Sequence, residues 1–227
     1  MFNNVALPTK GMTNFNIQSY SLTINKTETV SAEVYQPVST KAVYVFAHGA
    51  GTNMHHKFMK DLAAELASHQ IATLRYNFLY TELNKKRPDF PAVAHQAVAA
   101  AIAKAHELFP TLPLIAGGKS FGGRMTSQYI AAHPMPFVTG LAFVGFPLHP
   151  AGKPGIDRAD HLYAIKIPML FLQGTKDALA TWDLLTEVTA KLPSATLAPF
   201  EGADHSFKAG KKNLIPEMAE KINSWIS

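Results

Sequence analysis

The chain has 227 residues, 47% of them hydrophobic, and a formal net charge of +5. That length and apolar share suffice for one full core, and a single domain over 1–227 is expected. The absence of cysteine excludes disulfides, thiolate metal sites and a cysteine nucleophile. The short basic clusters Lys85-Lys86-Arg87 and Lys211-Lys212 come with no RNA-binding signature, so no nucleic-acid partner is expected.

Residues 1–16 read as a loosely attached leader. Its opening, Met1 to Lys10, lacks a basic stretch followed by an apolar one, so no signal peptide is expected. With no cysteine to oxidise, a reducing, cytoplasmic setting is the expectation. Gln18–Ile24 and Thr29–Tyr35 alternate apolar and polar residues around Asn25-Lys26-Thr27-Glu28, which predicts an antiparallel hairpin ended by Pro37. Ala42–Ala47 is a continuous apolar run, as in a strand buried on both faces. The loop His48-Gly-Ala-Gly-Thr-Asn53 follows, then a helix from about His56 to His69 with Phe58, Leu62, Ala63 and Leu66 on one stripe. Ile71–Tyr76 is the next strand, Asn77–Pro91 is irregular, and Ala92–Phe109 is a helix ended by Pro110.

Leu114, Ile115 and Ala116 form a strand ending in two glycines, and Met125–Ala132 reads as a helix closed by Pro134. Phe137–Val144 and Ile167–Leu172 are further buried strands. Helices are predicted over Trp182–Lys191 and Asn213–Ile226, around a strand at Ala195–Phe200. The stretch Met125–Gly152 lacks Asp, Glu, Lys and Arg, yet four prolines interrupt it, so no membrane span is expected there. No internal repeat is visible. Apolar strands alternating with helices predict an α/β fold, a mostly parallel sheet covered on both faces.

Between the Leu114 strand and the Met125 helix stands Gly118-Lys119-Ser120-Phe121-Gly122. This is G-x-S-x-G in the strand-turn-helix context that presents a serine on a strained, tight turn. The same Gly-Lys-Ser could end a phosphate-binding loop, but Pro113 stands where that motif needs its first glycine. Downstream, Gln173-Gly-Thr-Lys-Asp177 puts a carboxylate past the Ile167 strand. Glu201-Gly-Ala-Asp-His205 then puts an imidazole past the Ala195 strand. Ser120, Asp177 and His205 follow the order serine, acid, histidine.

A serine hydroxyl is a poor nucleophile near neutral pH, so His205 would take its proton and Asp177 would hold the imidazole. Asp204 is the rival acid, with a side chain expected to diverge from its neighbour His205. Thr181 is the better candidate than Asp177 for capping the next helix. Backbone N–H groups of Phe121 and Ala50 are expected to face the developing oxyanion. His48 reads as a loop organiser, and adjacent His55 and His56 make a poor metal pair. No metal and no cofactor are expected.

These segments resemble the α/β-hydrolase superfamily, and more narrowly the short hydrolases related to dienelactone hydrolase, including testis-expressed and NSL-complex-subunit relatives. The resemblance runs from about Lys41 to the C-terminus. It rests on His48-Gly-Ala-Gly51, Arg87-Pro-Asp89, Gly117–Arg124, Gly145-Phe-Pro-Leu-His-Pro150, Gly152-Lys-Pro154, Gln173–Asp177 and Gly202-Ala-Asp-His205. It implies about eight strands and carries Ser120, Asp177 and His205 over as a triad. Ala178 departs from the proline many relatives hold there, which leaves the acid loop less rigid. The connection between the Val144 and Ile167 strands, about twenty residues, is too short for a cap domain. An open pocket walled by Tyr76, Tyr80, Phe146, His149 and Phe207 is therefore expected, suited to a small-molecule ester. A carboxylesterase is the expected activity. A thioesterase or peptidase on the same residues, and a non-catalytic interaction module, are the alternatives.

Overall fold

The computed structural model describes residues 15–226. Most of the expected leader lies outside them, while Phe15 and Asn16 belong to the first strand instead. That strand, β1 (Phe15–Thr23), pairs antiparallel with β2 (Thr29–Pro37). The Asn25 side chain closes the turn by accepting the Thr27 and Glu28 amides, the self-bonding that makes Asn a turn residue.

The remaining strands are β3 (Ala42–Ala47), β4 (Ile71–Tyr76), β5 (Leu114–Lys119), β6 (Val138–Val144), β7 (Met169–Gly174) and β8 (Ala195–Phe200). They join one eight-stranded sheet in the order β1-β2-β4-β3-β5-β6-β7-β8. Both contacts of β2 are antiparallel and every other pairing is parallel. The helices are α1 (Lys57–Ser68), α2 (Leu79–Glu82), α3 (Pro91–Leu108), α4 (Phe121–Ala132), α5 (Trp182–Ala190) and α6 (Ile215–Ile226).

Strand alternation divides the core in two. Val43 and Val45 point into the layer filled by α3, α4 and α5. Tyr44 and Phe46 point into the layer filled by α1 and α6. All of β3 is buried, as its unbroken apolar run requires. Each fully buried Phe or Leu in these layers contributes about 1.5–3 kcal/mol.

Several elements differ from expectation. The helix expected at Met125 opens at Phe121, directly after Ser120; its glycines, weak helix formers, hid the first turn. The stretch expected to be irregular contains α2, too short to show a period. Helix α6 begins at Ile215, with the Asn213 side chain accepting the Ile215 amide. The connection from β6 to β7 is a loop with one 3₁₀ helix, Asp157–Ala164. That helix packs on α4, where His161 Nε2 meets Ser127 Oγ at 2.7 Å.

Candidate active site

At the carboxyl end of β5 the chain reverses direction so tightly that neighbouring backbones touch. A Cβ on Gly118 would lie 2.5 Å from the Ala47 carbonyl oxygen. One on Gly122 would lie 2.6 Å from both Ala47 Cβ and the His48 carbonyl oxygen. Only hydrogen fits at either place. Between them Ser120 takes φ 50° and ψ −114°, a region L-residues occupy at a cost of order 1–3 kcal/mol. Its amide donates to the Val144 carbonyl at 3.1 Å, which ties the strained residue to the end of β6.

Two loops bring the partners to it. His205 Nε2 lies 2.8 Å from Ser120 Oγ. His205 Nδ1 lies 2.7 Å from Asp177 Oδ2. Asp177 is buried, whereas Ser120 and His205 are half-buried. The Asp177 carboxylate also accepts from Gln173 Nε2 at 2.6 Å and from the Leu179 amide at 2.7 Å. Asp204 turns elsewhere: its Oδ1 accepts the Ser206 and Lys208 amides at 2.8 and 2.9 Å, closing its own turn. A hydroxyl, an imidazole and a carboxylate therefore stand in one hydrogen-bonded line.

A family profile for the alpha/beta hydrolase domain matches residues 40–226. The chain belongs to the α/β-hydrolases. Three solved structures are similar to this α/β-hydrolase over nearly their whole length. An alpha-beta serine hydrolase homologue from Coxiella burnetii has a TM-score of 0.74 at 18% identity, covering 96% of this chain and 100% of its own. The dienelactone hydrolase from Anabaena variabilis gives 0.74 at 18%, covering 93% and 96%. A lidless α/β serine hydrolase from Xanthomonas campestris gives 0.70 at 19%, covering 98% and 94%. At these identities the likeness is one of fold.

In this α/β-hydrolase the loop after β3 is clamped from both sides. The Gly49 carbonyl accepts from His48 Nδ1 at 2.8 Å and Thr52 Oγ1 at 2.9 Å. The Gly51 amide donates to the Tyr80 hydroxyl at 3.2 Å. A trans peptide points its N–H opposite its C=O, so the Ala50 N–H faces away from the groups that hold the Gly49 carbonyl. His48 is an organiser: it is fully buried, and its Nε2 accepts the Phe78 amide at 3.2 Å. Burial lowers its pKa to about 4, so the ring is neutral. Phe121 opens α4, and its amide is among those that no helical carbonyl can take.

Beside Ser120 lies a cavity of about 350 Å³. Its lining comes from Gly49, Ala50, Thr52, His56, Phe58 and Met59 between β3 and the first turn of α1, from Lys119 and Ser120 at the end of β5, and from Leu179, His205 and Ser206 in the loops after β7 and β8. None of Tyr76, Tyr80, Phe146, His149 and Phe207 lines it, and all five are buried. Aromatic side chains at strand ends went into core and loop packing instead. Tyr76 is fully enclosed beneath Phe78. Tyr80 holds Gly51, and its own amide donates to Asp89 Oδ2 at 3.1 Å, which gives the Arg87-Pro88-Asp89 segment a task. Phe207 packs against Phe200 and Phe58.

Phe146 and His149 brace the acid loop. The Phe146 amide donates to Gln173 Oε1 at 2.8 Å, and the other end of that amide group reaches Asp177. His149 Nε2 accepts the Thr181 amide at 2.9 Å, and Thr181 opens α5 without a side-chain cap bond of its own. These contacts supply the rigidity that Ala178 does not. His55 and His56 serve different ends. His55 lies 3.6 Å from Glu33, while His56 accepts the Phe58 amide at the start of α1. Phe58, Met59 and Leu179 carried no sequence signal beyond ordinary core patterning, and Lys119 was visible only as a motif letter.

Proposed function

We propose that this protein is a serine hydrolase that cleaves small, short-acyl carboxylic esters through an acyl-enzyme. The observation that carries the proposal is the continuous line from Asp177 Oδ2 through His205 to Ser120 Oγ, with both separations below 3 Å. As Oγ attacks the ester carbonyl carbon, its proton moves to His205 Nε2, and Asp177 stabilises the imidazolium at Nδ1. The carbonyl oxygen becomes an oxyanion, met by the Ala50 and Phe121 N–H groups at the positive end of α4. Collapse breaks the bond to the alkoxy oxygen, which leaves as the alcohol after taking the proton from Nε2. A water then gives a proton to His205 and attacks the acyl carbon, and as the bond to Oγ breaks Nε2 passes that proton to Oγ, which frees the acid and restores Ser120.

A cavity of about 350 Å³ is at the small end of ligand sites. This supports acetyl to butyryl esters over long-chain lipids. The test is turnover of p-nitrophenyl acetate, butyrate and laurate by the wild type and by Ser120→Ala. Acetate or butyrate should be preferred, and Ser120→Ala should lose at least about 10⁴-fold in kcat while keeping its melting temperature. A variant retaining a tenth of wild-type turnover would remove Ser120 from the mechanism.

A further inference from the structure

Lys119 is not used by the steps above, yet it touches the base they depend on. Its Nζ donates to the His205 backbone carbonyl at 2.6 Å. The ammonium also lies 5.3 Å from the centre of the Phe207 ring. On the Gly145 side it is closely packed: a Cβ there would meet Nζ at 3.1 Å and His205 Cε1 at 3.6 Å. Lys119 precedes Ser120 in the chain and is hydrogen-bonded to His205. It therefore closes a ring through Oγ, Nε2, the histidine backbone and its own side chain. Other bonds of the His205 turn act at Ala203, Gly202 and Asp204; the histidine carbonyl is reached from across the site by Lys119.

We propose that Lys119 is a positioning residue, whose ammonium anchors the His205 carbonyl and so fixes the imidazole over Ser120. This rests on the serine-hydrolase function proposed above. A charge-assisted bond is roughly twice as strong as a neutral one, so the anchor depends on the proton. Burial lowers the Lys119 pKa to about 8, although the Asp177 and Asp204 carboxylates pull it upward. His205 and His56 are the other titratable side chains lining the cavity. The sign follows: the ammonium is present below about pH 8 and is lost as pH rises through it. Activity should therefore fall on the alkaline side while the fold persists.

The test is the pH dependence, from 6 to 10, of the rate at which a fluorophosphonate probe labels the protein, with kcat and KM for p-nitrophenyl acetate alongside. Wild type, Lys119→Met and Lys119→Arg are compared. Wild-type labelling should decline above about pH 8. Lys119→Met should lower kcat roughly 10- to 100-fold at pH 7, the cost of a misplaced catalytic group, with KM little changed and no alkaline decline. Lys119→Arg keeps its charge throughout, so it should recover much of the loss and hold its rate to pH 10. A decline near pH 8 that persists in Lys119→Arg, or full pH 7 activity in Lys119→Met, would overturn the anchor. If Lys119→Met does not fold, the arginine profile decides alone. Folded wild type that takes no label at any pH would overturn the hydrolase function itself, and the anchor with it.

Discussion

Asp177 and Asp204 lie within one site and are used in opposite ways. Asp177 is buried and accepts from His205, Gln173 and Leu179, whereas Asp204 gives its Oδ1 to two amides of its own turn. Asp177→Asn should cost about 10⁴-fold in kcat, because the amide cannot hold the correct imidazole tautomer. Asp204→Asn, which can still accept both amides, should cost less than tenfold. Steady-state kinetics on p-nitrophenyl acetate decide it, and the reverse ranking would move the acid role to Asp204. Residues at this scale were unevenly legible. Ser120, Asp177 and His205 could be named because each follows a strand and chemistry restricts the residue types. The cavity wall could not, because an aromatic after a strand reads the same whether it packs inward or faces a substrate. Tyr80 and Phe146 packed inward.

Where β5 meets α4, Ser120 is placed by close packing. Gly122 sits on β3 with no room for a methyl group, and what it would strike is backbone, the His48 carbonyl. Gly122→Ala should therefore push α4 off β3, costing about 1–3 kcal/mol as overpacking does. The melting temperature should drop by several degrees, and activity should fall at temperatures where the variant is still folded. An unchanged melting temperature with full activity would show that the elbow can yield. The central parallel strands were readable to within a few residues, β7 shifting from the expected Ile167–Leu172 to Met169–Gly174, because a strand buried on both faces leaves an unbroken apolar run. Helix α2 was not, since a single turn shows no period, and neither was the 3₁₀ helix Asp157–Ala164, which does not repeat at the α-helical period. Their effect on the site is nonetheless direct: α2 carries the Tyr80 that holds the Gly51 amide.

Across the whole molecule, the sheet gathers residues far apart in sequence. Ser120 and His205 are 85 positions apart, and they meet because β5 and β8 end on the same edge of one sheet. The three-residue line exists only when β5, β7 and β8 are all in register, so reactivity of Ser120 reports on the global fold. The short β6–β7 connection, which carries only a 3₁₀ segment, leaves that edge without a cap domain. The central claim is that Ser120 Oγ is a nucleophile activated by His205. Intact mass after brief exposure to a fluorophosphonate, followed by peptide mapping, tests it most directly. The wild type should gain one adduct, on the peptide containing Ser120. Ser120→Ala should gain none, and His205→Ala should react at least about 10³-fold more slowly. An adduct forming on Ser120→Ala at the wild-type rate, or none on folded wild type, would contradict the account.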